Sequence, residues 1–273
     1  MSALRFCPIA SGSSGNSTYI GTGDTHILID AGISGKRAEL LLEGLSVSAQ
    51  SLNAIFITHE HADHILGAGV LSRRFDVPIY ACENTWRKID SRNLMGKIAP
   101  HNKKVFSYGQ TVSVGDNLFL KPFQTPHDAA QPSGFNIFAE GRKISVATDM
   151  GIVTDTVREH IYGSDIMLLE SNHDIEMLKN GPYPWQLKKR ILGEYGHLSN
   201  AACGELITEI FSSKVKHIFL GHLSEENNEP ALAFEAVSSI LSANKIKPGC
   251  GFSLHLANRW ERSYCVTYEK EFG

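Results

Sequence analysis

No run of roughly 18 consecutive apolar residues occurs in the 273-residue chain, so no transmembrane helix is predicted. The start, MSALRFCPIASGSSG, lacks a charged segment followed by a long apolar one, and no signal peptide is expected. No CxxC pair is present. The five cysteines (Cys7, Cys82, Cys203, Cys250, Cys265) are scattered and odd in number, which points to reduced, buried thiols in a cytoplasmic protein rather than a disulfide framework. Charge of one sign is also missing. With 26 Lys and Arg against 29 Asp and Glu, the net charge is −3, and no basic field advertises nucleic-acid binding. Phosphate substrates stay open, because bound divalent ions add positive charge that a residue count ignores. No repeat, low-complexity tract or linker interrupts the chain, so residues 1–273 are expected to form one domain.

What is present begins with short strands. LRFCPIA, STYIGT and HILIDAG read as strands, and a helix is expected from Ser34, with Leu40, Leu41, Leu42 and Leu45 on its apolar side. NAIFIT is a continuous apolar run suited to a strand buried on both faces. After it, Ile65, Val70, Leu71 and Phe75 have helical spacing, with Pro78 just beyond. The middle returns to strands at QTVSV, LFLKPFQT, SGFNIFAE and KISVATD, with hairpin turns expected at Gly115-Asp116 and Glu140-Gly141. Strand and helix then alternate: IMLLES, helices near Trp185–Leu192 and Asn200–Ile210, HIFLG, a helix near Pro230–Ala243, and closing strands. Strand-rich stretches followed by this alternation suggest two sheets flanked by helices.

Residues of metal-ligand type collect at the strand ends. NAIFIT leads to His59, LFLKPFQTP to His127, KISVAT to Asp149, IMLLE to Glu170 and HIFLG to His222. The densest stretch, ITHEHADHILG, holds His59, His61, Asp63 and His64 within six positions. His59 and His61 are two apart and share a side on extended chain, whereas adjacent Asp63 and His64 diverge. One ion cannot take all four without strain. Two ions can: His59, His61 and His127 on one, Asp63, His64 and His222 on the other, with Asp149 bridging. A water between two such ions loses a proton near neutral pH and becomes a hydroxide nucleophile. Taken singly, each residue has a blander role. Asp63 could cap a helix, Asp149 could be a turn residue, His127 a loop histidine, and His222 could belong to a helix cap.

THEHADH, TPHD, ATDMG and FLGHLS, in that order, resemble the metallo-β-lactamase superfamily across essentially the whole chain. The resemblance implies an α/β fold, an αββα sandwich of two mixed sheets flanked by helices, with a dinuclear zinc or manganese site at one edge. ASGSSGNSTYI, LIDAGIS, ESNHD and GHLSN resemble the YycJ/WalJ group, bacterial metal-dependent hydrolases described as exonucleases acting on DNA. LLLESNHD and GHLSNAA also resemble paired motifs of tRNase Z, which implies that Glu170 orients His197 as general acid for the leaving oxygen. A plain helix-capping role is the alternative for His197. Asp63 and Asp149 make an oxygen-rich site suited to phosphodiesters.

Substrate contacts are expected from four more residues. The helix capped by Ser199 or Asn200 offers free N–H groups to a phosphate. His173 either contacts substrate or closes the loop between Asn172 and Asp174. The Gly/Ser loop around Ser14 either presents N–H and hydroxyl groups or is a tight turn. Lys103-Lys104 and Lys188-Lys189-Arg190 could track a nucleic-acid backbone or be solvated surface. His26, His101, His160, His217 and His255 sit in no constellation. Only residues 150–221 separate Asp149 from His222, too few for the β-CASP domain of RNase J-type nucleases, and no tRNA-binding arm is evident. These absences point to a stand-alone core, and the resemblance implies a phosphodiesterase acting on DNA from an end, with no obligate protein partner inferred. A small-molecule phosphodiester or thioester hydrolase is the alternative.

Overall fold

The computed structural model describes residues 3–269. Among these, strands β1 (Leu4–Ala10), β2 (Ser17–Thr22), β3 (Thr25–Ile29), β4 (Ala54–Phe56), β5 (Ile79–Cys82) and β6 (Lys103–Phe106) form one sheet. A second contains β7 (Val112–Val114), β8 (Leu118–Gln124), β9 (Ser133–Ala139), β10 (Arg142–Ala147), β11 (Ile166–Glu170), β12 (His217–Gly221) and β13 (Ser253–Leu256). The last strand, β14 (Val266–Tyr268), returns to pair with β1, giving seven strands in each sheet. Each sheet is mixed. Strands β3 to β6 and β10 to β13 run parallel, and the remainder pair antiparallel.

The helices are α1 (Gly35–Glu43), α2 (Ala62–Ile65), α3 (Ala68–Phe75), α4 (Glu83–Ser91), α5 (Asp155–Ile161), α6 (Ile175–Asn180), α7 (Trp185–Ile191), α8 (Asn200–Ile210) and α9 (Pro230–Ala243). None is long and apolar enough to cross a membrane. Three apolar layers follow from the two-residue period of the strands. Phe6, Ile20, Ile27 and Phe56 meet Leu120, Phe135, Val146 and Phe219 between the sheets. The opposite faces carry Cys7, Leu28 and Ile55 against Ala38, Leu42 and Leu71 of α1 and α3. On the far side Met167, Leu169 and Ile218 pack on Leu206, Val237 and Leu241 of α8 and α9. Strands β4 and β11 are buried on both faces, which is why both read as continuous apolar runs. The result is the αββα sandwich.

Several local expectations change. The helix expected to run on from Ile65 is split. Leu66 and Gly67 separate α2 from α3, because the Gly67 N–H donates to the Ala31 carbonyl at 2.8 Å instead of continuing the helix. Val70 and Leu40 are then exposed rather than core. Glu140-Gly141 forms a two-residue hairpin with positive φ at both positions, but Gly115-Asp116 extends to a three-residue loop with Asn117. The cysteines are unpaired, and Cys250 is exposed rather than buried.

Candidate metal centre

The parallel strands all discharge their chain at the same edge. Asp30 follows β3, and His59 to His64 follow β4. From the other sheet, Asp149 lies two residues past β10, Glu170 ends β11, and His222 follows β12. Asp30, Asp149 and His222 have positive φ (60°, 58° and 54°), a backbone conformation costly for residues with a Cβ. Each such kink turns the chain sharply off its strand, and all three fall at this edge.

The loops are laced together through backbone. The Ala31 N–H donates to the His64 carbonyl (2.9 Å), the Asn16 N–H to the Asp63 carbonyl (2.8 Å), and the Gly32 N–H to the Asn16 carbonyl (2.7 Å). At Gly32 a Cβ would lie 1.6 Å from the Asp63 carbonyl oxygen, so only glycine permits this approach.

Donor atoms converge in two groups. His59 Nε2 and His61 Nδ1 are 3.0 Å apart, and His61 Nδ1 and His127 Nε2 are 3.3 Å apart. Asp63 Oδ2 lies 3.4 Å from His64 Nε2 and 3.3 Å from His222 Nε2. Asp149 stands between the groups, with Oδ1 3.5 Å from His222 Nε2 and 3.8 Å from His127 Nε2, and Oδ2 3.4 Å from His64 Nε2. Four ligands about 2.0–2.1 Å from a tetrahedral ion lie about 3.3 Å from one another, so this spacing fits bound divalent ions. The buried Asp149 Oδ2 has no hydrogen-bond partner, as a carboxylate oxygen reserved for an ion would not. Burial opposes its charge, yet the surrounding histidines hold its carboxyl well below the usual carboxylate range.

A supporting shell sets the imidazoles. The buried Asp30, which the sequence reading passed over, accepts from the Thr58 N–H (2.8 Å), the Thr58 hydroxyl (2.9 Å) and His64 Nδ1 (2.7 Å). An acidic residue closing the apolar strand HILID was the available signal. His127 Nδ1 donates to the Gly196 carbonyl at 3.0 Å. The fully buried Glu170 accepts from both His197 Nδ1 (2.8 Å) and His222 Nδ1 (2.9 Å) through Oε1, and from the Met150 N–H through Oε2. Burial pushes its carboxyl up, but His197 and these bonds bring it down to about 2. The His197 side chain keeps 14% of its surface open, whereas His222 keeps 2%.

The other expected substrate contacts fare differently. At the α8 N-terminus, the Asn200 N–H donates to the His173 carbonyl and the Ala202 N–H to the Ser199 hydroxyl. The Asn200 amide is buried in a network with Asn228 and Ser171. His173 is also buried, with both ring nitrogens unpartnered, and burial lowers it to about 4. Asp174 caps α6, and Ser199 caps α8. The Ser14 hydroxyl is buried without a partner. The Gly/Ser loop reaches the centre through Asn16, whose amide lies 3.4 Å from Asp63 Oδ2, and through Ser11, which accepts from the His222 N–H.

The Lys188-Lys189-Arg190 patch does not form. Lys188 is buried and donates to the Lys179 and Gly181 carbonyls, and Arg190 pairs with Asp128 at 2.8 Å. Lys103 pairs with Asp90 at 2.6 Å. A cavity of about 530 Å³ beside His61 is lined instead by Lys88 and Arg92 of the α4 end, two cations distant in sequence from the ligand motif.

An αββα sandwich with this His/Asp cluster at one edge defines a metal-dependent hydrolase of the metallo-β-lactamase type. Residues 25–222 match the beta-lactamase superfamily domain. The chain is 40% identical over 252 residues to exodeoxyribonuclease YycJ of Bacillus anthracis (92% of this chain, 94% of that protein). It is 38% identical over 252 residues to exodeoxyribonuclease WalJ of Streptococcus pneumoniae (92% and 93%). The chain belongs to this superfamily and, within it, to the YycJ/WalJ family. Among solved structures, the metallo-β-lactamase fold protein YhfI from Bacillus subtilis superposes with a TM-score of 0.73 at 17% identity, covering 98% of this chain and 100% of that one.

Proposed function

We propose that this hydrolase cleaves DNA phosphodiester bonds as an exonuclease, using two divalent ions, Zn²⁺ or Mn²⁺. The observation that carries the reading is the Glu170–His197 pair beside two convergent donor groups. In this reading His59, His61 and His127 would hold one ion and Asp63, His64 and His222 the other, with Asp149 available to both. When bound, the ions supply a water of lowered pKa as nucleophile and Lewis-acid stabilisation of the phosphoryl oxygens. Asp63 helps orient the attacking water. Glu170 accepts from Nδ1 of His197 and so directs Nε2 at the substrate. Protonated there, His197 gives its Nε2 proton to the departing oxygen as the P–O bond breaks. Lys88 and Arg92 offer charge to the flanking phosphates. The names of the curated relatives supply the preference for DNA and for an end. Residues 1–273 act as one such domain, without a β-CASP insertion.

The test is digestion of end-labelled DNA with defined 5′ and 3′ ends, alongside bis(p-nitrophenyl) phosphate, with Mn²⁺, Zn²⁺ or no metal. Metal-dependent shortening from an end is expected. Hydrolysis of the small ester without any cleavage of DNA overturns the DNA reading in favour of a small phosphodiester substrate.

A further inference from the structure

Beside the metal centre lies a second cavity of about 550 Å³. His127 and Tyr195 form part of its wall, and Ala129 and Ala130 line both this cavity and the one that holds Lys88 and Arg92. The two cavities differ in chemistry. Among the described residues, no lysine or arginine lines this one. Its polar groups are neutral amides, such as Asn84 and Gln131, and hydroxyls, such as Thr154, with Glu194 the one acid. Such a lining offers a phosphate no counter-charge, but it suits an uncharged planar group carrying donors and acceptors.

Two apolar surfaces at the cavity are left in water. Tyr195 is 61% exposed and Ile152 is 42% exposed. The Tyr195 backbone is nevertheless firmly held. Its carbonyl accepts from the Asp128 N–H at 3.1 Å, and the Gly196 carbonyl accepts from His127 Nδ1 at 3.0 Å. The Gly196 N–H bonds the Gly193 carbonyl at 2.9 Å, and Gly151 packs so tightly on this loop that a Cβ would sit 2.2 Å from the Gly193 oxygen. An exposed aromatic side chain on a fixed backbone is a stacking platform. The same loop carries His197, two residues on.

We propose that this cavity is a nucleobase site, in which Tyr195 stacks on the base of the nucleotide that takes the His197 proton. The inference rests on the phosphodiesterase reading for that nucleotide's identity, but its chemistry can be tested without turnover. The phosphate chain then follows Lys88 and Arg92, and the neighbouring base turns into the cavity that lacks lysine and arginine. An end can deliver an unpaired base there far more readily than the interior of a duplex, where the base would first have to leave the stack.

The experiment has two arms. In the first, kcat/KM is measured on DNA whose nucleotides flanking the scissile bond are intact or abasic. Loss of one stacked base corresponds to roughly 1–3 kcal/mol, or about 5- to 150-fold. Tyr195→Ala should lower kcat/KM on intact DNA within that range, and Tyr195→Phe, which keeps the ring, should restore it. Abasic DNA should already show the loss, with little further penalty from Tyr195→Ala. Equal Tyr195→Ala losses on intact and abasic DNA, or none on either, overturn the site. The second arm is saturation-transfer NMR with deoxyadenosine and with 2-deoxyribose, on wild type and Tyr195→Ala. Base-proton signals are expected from wild type alone, and none from the sugar. If DNA is not cut but these signals appear, the nuclease reading falls and the base site stands. If the wild type gives no base signal, the site falls whatever happens to DNA.

Discussion

Asp30 and His64 are joined by a 2.7 Å hydrogen bond from the imidazole Nδ1 to a carboxylate oxygen, deep beneath the metal centre. The bond fixes which ring nitrogen carries the proton, so Nε2 is the one free to bind an ion. The carboxylate itself is fixed by Thr58 through two further bonds. Asp30→Asn keeps the shape and removes the charge. It should weaken metal affinity by about 10- to 100-fold, as loss of such supporting partners does. Competition with a chromophoric chelator measures this, and an unchanged affinity would show that His64 needs no carboxylate behind it.

Metal analysis of protein purified without chelator should give close to two equivalents. Asp63→Ala should abolish hydrolysis and lower occupancy of one site while the far-UV circular dichroism is kept. Asp63 is no helix cap here: His61 occupies the N-cap position of α2, and Asp63 lies in the first turn. Near wild-type turnover by a fully loaded Asp63→Ala variant would remove it from the chemistry, and saturation at one equivalent would sink the two-ion arrangement.

His197→Ala should lower kcat on DNA by roughly 10²–10⁴-fold, the span for one positioned acid. An activated aryl phosphodiester departs without a proton, so the loss on that ester should be much smaller. Metal content should stay at its wild-type level. Equal losses on both substrates would make His197 a phosphate-binding group, and loss of metal would make it a ligand.

Away from the site, His217 Nδ1 and His255 Nε2 face each other at 3.1 Å, with Phe219 and Tyr264 stacked on His255. Burial, and then the neighbouring His217, lower His255 from 6.5 to about 4. Between those two pH values the unfolded chain binds a proton that the folded chain refuses, so stability should fall as pH drops from 6.5 to 4. His255→Gln removes that titration. With metal saturating, its thermal midpoint should drop less than that of wild type between pH 7 and pH 5. Identical drops would assign the acid sensitivity to other groups.

The layers of the fold were legible because strand periodicity is local. NAIFIT announced a strand buried on both faces by being an apolar run, IMLLES read as a strand, and both occupy sheet interiors. The ligand-type residues were legible because they follow those strands directly. The α2–α3 break was not, since it depends on a hydrogen bond from Gly67 to Ala31, more than thirty positions away. The partner of the Asn200 N–H at the start of α8 was hidden for a similar reason, since the His173 carbonyl that accepts from it is brought there by the fold.

The sequence by itself determined which side chains could meet a cation, because ligand chemistry belongs to residue types and the strand pattern carries them to a common edge. Only tertiary structure decided what stands behind and beside them. Asp30 reaches His64, one Glu170 oxygen serves two histidines, Lys188 is buried among carbonyls, and Lys88 and Arg92 come to the centre from α4. Those relationships join positions far apart in the chain. Their geometry is set by how two sheets pack and by which buried polar groups must find partners, and neither is written in any local stretch of residues.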